Sequence, residues 1–208
     1  MNAIRTDERA GPARVTEAGR RRARLKLLAI LLVCAAPVIA SYFTYYVIRP
    51  EGRTNYGELM LPLRSVESLP VGGPDGKPAT LARLRGKWVM LAVDSGACPQ
   101  ACEDKLYAMR QVRLTTGKDR DRVERVLLLT DDVALPARIA GEHEGMHVAR
   151  AQADAVARSL PAAAQGNVAD HIFVVDPLGN LVMRFPKAAD PNRMKKDIAK
   201  MLRASRVG

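Results

Sequence analysis

Hydrophobic positions fall into two regimes along this chain. Residues 27–48, "LLAILLVCAAPVIASYFTYYVI", run 22 positions without a charge. As a helix that stretch covers about 33 Å, enough to cross a hydrocarbon core of about 30 Å. Tyr42, Tyr45 and Tyr46 stand at its far end, where interfacial aromatics belong. Pro37 is tolerated inside a membrane helix. The apolar run continues past the small residues near Ala40, so the pattern predicts an uncleaved anchor rather than a removed signal peptide.

Downstream the runs become short and separated. Residues 49–70 show little periodicity and read as a linker. "GGPDGKPATLARL" predicts a turn, a short extended piece and a helical turn. "KWVMLAVD" (87–94) is a continuous apolar run of strand length, hence a buried strand, and "VERVLLLTDD" (123–132) predicts a second buried strand. Between them, residues 99–117 place Leu106, Met109 and Val112 at helical spacing, with Gly117 as a stop. "LPARIAGEHEG" predicts a short helix, "MHVARA" a strand and "QADAVARSLP" another helix. "HIFVVDPLGNLVMRF" (171–185) predicts a hairpin turning at "DPLGN". Residues 190–205 predict a last helix, with Asp190 as N-cap and Pro191 in first position.

Strands and helices in this order imply an α/β sheet covered by helices. A strand that delivers cysteines to a helix start, with a hairpin and helix at the end, is a thioredoxin-like arrangement. The predicted organisation is a basic cytoplasmic tail (1–26), a transmembrane helix (27–48), a linker (49–70) and a thioredoxin-like domain with a central mixed sheet (71–208).

Net charge is +11, but residues 1–26 alone hold 8 Lys/Arg against 3 Asp/Glu. The rest has 25 basic and 19 acidic residues, a mildly basic and mixed surface. Aromatics make up only 4%, so stacking platforms for bases are scarce and no nucleic-acid partner is expected. Arg20, Arg21, Arg22, Arg24 and Lys26 precede the apolar span, while only Arg49 and Arg53 closely follow it. The positive-inside rule then keeps the N-terminus cytoplasmic and puts the domain outside. In a Gram-negative bacterium that means a single-pass inner-membrane protein with its domain in the periplasm.

Of 3 cysteines, Cys34 lies in the span and reads as a small apolar residue. Cys98 and Cys102, in "SGACPQACED", face an oxidising compartment. With Pro99 in the first helical position, Cys98 falls at or near the N-cap and Cys102 on the same face. Helix N-terminal amides favour thiolate there. Such a pair can close a disulfide, exchange with other thiols or hold a soft metal. The histidines are His143, His147 and His171. In a thioredoxin-like topology the loop entering the hairpin lies beside the cysteine helix, so His171 is the candidate third ligand. One imidazole and two thiolates suit Cu(I), and Cu(II) with one weak ligand added.

"CPQAC" followed by the distant "DHIFVVDPLGNLV" resembles the Sco/SenC family of copper proteins, which assemble the binuclear copper centre of cytochrome c oxidase. Asp170-His171 and Asp176-Pro177-Leu178-Gly179 fit its pattern, as do the anchor and "LARLRGKWVML". The resemblance covers roughly residues 60–205. It implies copper bound by Cys98, Cys102 and His171, passed to an oxidase subunit or other copper recipient. A periplasmic thiol reductant would have to keep the redox-active cysteines reduced, since a disulfide offers no thiolate. It implies a metallochaperone rather than an enzyme. Glu103 stands where the family has Pro, "VDSGA" replaces an aromatic-rich approach, and "LTDDVALP" reduces a longer segment, with Asp131 as counterpart. These departures mark a divergent member.

Two other classes compete. A thiol–disulfide oxidoreductase would reduce a recipient's cysteines, although "VADH" lacks the proline that thioredoxin-type enzymes carry before the facing strand. A docking scaffold would not need the cysteines. "HEGMH" offers His143, Met146 and His147 as a second metal site, against a helix end followed by a strand. Glu103 and Asp104 read as favourable first-turn carboxylates, and Asp94 as a support of the site.

Overall fold

The computed structural model describes residues 17–48, 55–72, 78–205 and 207. The first part of the basic tail, the junction at 49–54 and the turn expected at 73–77 lie outside the described residues. The chain divides into two units, Met1–Gly52 and Arg53–Gly208.

In the first unit, helix α1 (Glu17–Phe43) continues as a π-helical turn at Thr44–Ile48. It begins ahead of the predicted span because "RRRARLK" consists of good helix formers. The stretch Gly19–Tyr46 is long and apolar enough to cross a membrane, its most apolar 18 residues reaching a mean hydropathy of 2.3. Leu27, Leu31, Val38 and their neighbours are exposed on the helix. At its far end the Tyr42 and Tyr46 rings stack, and Tyr45 meets Tyr46 edge-on.

Among the described residues the second unit is built on an eight-stranded mixed sheet. The strands are β1 (Glu58–Ser65), β2 (Pro70–Gly72), β3 (Pro78–Thr80), β4 (Trp88–Asp94), β5 (Val123–Leu129), β6 (His147–Arg150), β7 (Ile172–Val175) and β8 (Asn180–Phe185). Their order is β1-β8-β7-β4-β5-β6-β2-β3. β4, β5 and β6 run parallel, and every other pairing is antiparallel. The helices are α2 (Gln100–Thr115), α3 (Ala137–Glu142), α4 (Ala153–Ser159) and α5 (Pro191–Ala204).

The central strands are buried on both faces, which is why β4 and β7 read as nearly unbroken apolar runs and β5 does so from Val126 on. Trp88, Met90 and Ala92 of β4 pack with α2 and α5, through Leu106, Met109, Ile198 and Leu202. Val89, Leu91 and Val93 face the other way, onto Val126, Leu128, Val156, Leu160 and Phe173. The hairpin forms as predicted. Asp176 Oδ1 accepts from the Leu178 and Asn180 amides, and Gly179 takes the left-handed φ of +84° that closes the turn. Asp190 caps α5 through the Asn192 amide, with Pro191 following.

The linker expectation fails at residues 58–65, which form the edge strand β1 against β8. All but two of its eight residues are exposed, so no alternation marked it, and Pro62 sits where only an edge strand accepts proline. Burial elsewhere holds its entry. The Asp197 carboxylate of α5 accepts the Tyr56 and Gly57 amides at 2.7 and 2.8 Å. A second correction concerns the cysteine helix. Pro99 is its N-cap rather than its first residue, with extended backbone and its carbonyl receiving the Cys102 and Glu103 amides.

Candidate functional site

β4 ends at Asp94, and the next residues are clamped before the cysteines arrive. The Asp131 carboxylate, just past β5, accepts Ser95 Oγ at 2.5 Å and the Gly96 amide at 2.8 Å. These two bonds, Ser95 first, hold the Asp131 carboxyl below its ordinary range. Gly96 presses on the following loop so closely that a Cβ there would sit 1.8 Å from the Val133 carbonyl oxygen. Asp131 therefore braces the approach to the motif.

Cys98 and Cys102 are joined in a disulfide, with Cα atoms 5.1 Å apart. Cys98 precedes the N-cap with φ +41°, a left-handed conformation uncommon outside glycine. Cys102 is the third residue of α2. Both are buried within the core beneath α2. Glu103 Oε1 accepts Arg138 Nη2 at 2.6 Å, tying the first turn of α2 to α3, and Asp104 accepts Gln100 Nε2.

His171 follows a short 3₁₀ turn, Val168–Asp170, and immediately precedes β7. Asn167 and Asp170 form a reciprocal capping box around that turn. The imidazole is buried and both its nitrogens are engaged. Nε2 accepts the Ala163 amide at 3.3 Å, so Nδ1 carries the proton and donates to the Phe185 carbonyl at 2.9 Å. Burial pushes the His171 pKa down, with the Phe185 bond opposing, which favours the neutral ring. His171 lines a cavity of about 470 Å³ together with Gly166, Arg184 and Lys187. No cysteine lines it. Among the described residues no three His, Cys, Asp or Glu side chains form a group that would hold a metal ion. The structure thus brings Cys98 and Cys102 together but leaves His171 bonded to backbone.

The loop before His171 does lie beside the cysteine helix, as the topology predicted. A residue that the sequence reading passed over makes the link. Lys105, one turn beyond Cys102, is buried. Its Nζ donates to Asp94 Oδ2 at 2.7 Å, to the Val93 carbonyl at 2.9 Å and to the Ala169 carbonyl. One ammonium thereby joins the end of β4, the first turns of α2 and the loop carrying His171. Asp94 acts through Lys105. The available signal was a lysine one position ahead of Leu106, at the border of the apolar stripe of α2. Against this loop and α2 lies a second cavity of about 350 Å³, lined by Ala101, Lys105, Ala108, Ala169 and Ile172.

The "HEGMH" residues go separate ways. His143 ends α3 and is buried, Met146 packs on the core, and His147 opens β6 with Nε2 3.5 Å from Glu124.

Residues 88–205 match the family model described as "Transmembrane-like, thioredoxin-like, C-terminal domain", and residues 17–47 match "Transmembrane-like, N-terminal domain". The fold is similar to apo Sco1 from Thermus thermophilus, with TM-score 0.57 and 22% identity over 73% of this chain and 99% of that one. It is also similar to copper-bound ScoI from Arabidopsis thaliana (TM-score 0.53, 19% identity, 72% and 99% covered). Yeast Sco1 gives TM-score 0.53 at 13% identity, covering 68% and 99%. No curated protein matches the sequence. At these identities the likeness establishes a Sco-type thioredoxin-like fold.

Proposed function

Because this chain belongs to the transmembrane-like, thioredoxin-like family, we propose that it is a membrane-anchored copper carrier whose cargo is taken by Cys98, Cys102 and His171. The observation that carries this reading is the His171 tautomer. With Nδ1–H given to the Phe185 carbonyl, the lone pair stays on Nε2, the arrangement that orients a metal-binding imidazole. The two cysteines supply the soft half of the donor set. Loading needs the disulfide reduced by two electrons from a thiol reductant, and Nε2 released from the Ala163 amide. The cluster from Arg20 to Lys26 supports a cytoplasmic N-terminus and an outer, periplasmic domain. The recipient in this reading is an oxidase copper centre, as the Sco-type fold and the Cys-Cys-His pattern together suggest.

The test is anaerobic titration of the reduced full-length chain in detergent with Cu(I) against a competing chelator. One copper per chain is expected, abolished by Cys98→Ala and weakened by His171→Ala. A reduced wild type that retains no copper sinks the proposal.

The closed disulfide favours a second reading, thiol–disulfide exchange with a recipient. Cys98 is only 3% exposed, so it must be uncovered before a thiolate can attack it. Measured exchange with a dithiol peptide, without copper retention, would favour this reading over the first.

A further inference from the structure

Strand β5 carries an arginine where its pattern calls for core. Val123, Leu127 and Leu129 point to the α2 side of the sheet, and Arg125 shares their parity. Its side chain is buried, at 3% exposure. Nη2 donates to the Glu144 carbonyl at 2.7 Å, while Nε and Nη1 are buried without a partner. A buried guanidinium ordinarily meets a carboxylate. This one meets three more arginines.

Arg110 and Arg113 from the last turns of α2, and Arg120 from the 3₁₀ turn Gly117–Arg122, line the same open cavity of about 460 Å³. Arg110 and Arg113 each commit one nitrogen to a carbonyl, of Glu142 and Val123 respectively. Among the described residues none of the four arginines has an ion-pair partner. Glu142 and Glu144 lie at the rim, but the Glu142 carboxylate is turned to Arg138 at 3.0 Å and Glu144 offers its carbonyl. Burial, then Arg113, Arg110 and Arg120, all push the Arg125 pKa down, and only Glu124 opposes them. The nearby His143 is buried with Nδ1 unpartnered, and burial, then Arg110 and Arg125, push its pKa down, with Glu142 and Glu103 opposing.

We propose that this cavity is an oxyanion site for a phosphate group, with Arg125 as the buried donor at its floor and Arg110, Arg113 and Arg120 around it. A tetrahedral anion with several oxygens matches donors converging from one strand, one helix and one turn, and forked guanidinium donors suit it best. Four cations with no bound acid favour a dianion over a single carboxylate. The phosphate has two possible sources, a soluble phosphate compound or the headgroup of an anionic phospholipid.

The test uses the full chain. Its melting temperature is measured in neutral detergent with inorganic phosphate or pyrophosphate, at matched ionic strength set with chloride. A parallel arm compares phosphatidylcholine nanodiscs with and without phosphatidylglycerol. Arg125→Met removes the floor donor, and Arg120→Gln changes only an exposed rim residue, so the test survives if the first variant folds poorly. A saturable rise with pyrophosphate or phosphate, weakened about 10- to 100-fold in concentration by Arg125→Met, supports the site with a soluble ligand. A rise confined to phosphatidylglycerol discs, and lost in both variants, supports it with a lipid headgroup. No rise beyond chloride in either arm, or an equal rise in wild type and both variants, overturns it.

Discussion

A buried basic residue stands at each end of α2, Lys105 in the helix itself and Arg125 on the neighbouring strand β5, and the two are treated in opposite ways. At the N-terminal end Lys105 meets one carboxylate and two carbonyls, which use all three of its protons. At the C-terminal end the guanidinium of Arg125 has one carbonyl and two idle nitrogens, among three further arginines. A satisfied buried cation fixes structure, here the spacing between the cysteine helix and the His171 loop. One left with two idle nitrogens makes too few bonds to offset its desolvation, which points to a partner that arrives from outside.

The largest expected effect breaks the satisfied end. Lys105→Met leaves the Asp94 carboxylate, 11% exposed, without its cation and should destabilise the domain by about 3–5 kcal/mol in urea unfolding. Adding Asp94→Leu should recover much of that loss. If the double variant is no better than the single, the pair is not the unit described. Gly96→Ala comes next, at about 1–3 kcal/mol, because the new methyl group must displace the Val133 backbone. A thermal melt unchanged from wild type would contradict the close approach. Arg125→Met should behave unlike Lys105→Met. Without added phosphate it should be neutral or stabilising by about 1 kcal/mol, since it deletes unpaired donors. A loss comparable to that of Lys105→Met would erase the contrast between the two ends.

A smaller effect follows from His171. Its folded pKa lies below the ordinary 6.5 because burial favours the neutral ring. Stability from this source is full above pH 6.5 and falls as pH drops from 6.5 through the lower folded value. His143, lowered by burial and then Arg110, adds to the same decline. Urea melts between pH 7.5 and 5.5 should show the slope in wild type and a shallower one in His171→Gln. The smallest effect is expected at Arg138, which is 59% exposed. Arg138→Ala should change unfolding little while freeing Glu103 from α3.

The order of elements was legible because β4, β7 and most of β5 are apolar on both faces and α2 and α5 carry stripes that only a helix aligns. The hairpin and the last cap were legible for a local reason, since Asp176, Gly179 and Asp190 bond within a few residues of themselves. β1 was not, because an edge strand with most side chains in water has no pattern to show. The cysteine pair was visible from spacing alone. The two buried cations by α2 were not, since Lys105 and Arg125 look like ordinary surface residues until the fold closes over them.

By itself, then, the sequence determined what depends on neighbours along the chain: an apolar helix of membrane length, buried strands, caps, a tight turn and two cysteines four residues apart. Tertiary structure alone decided what depends on residues far apart in number. It paired β1 with β8 across some 120 positions. It set Lys105 against Ala169, 64 residues away. It turned the lone pair of His171 toward Ala163 and gathered four arginines around one cavity. Periodicity records which face a residue takes, but only packing fixes which partner, or which missing partner, it meets there.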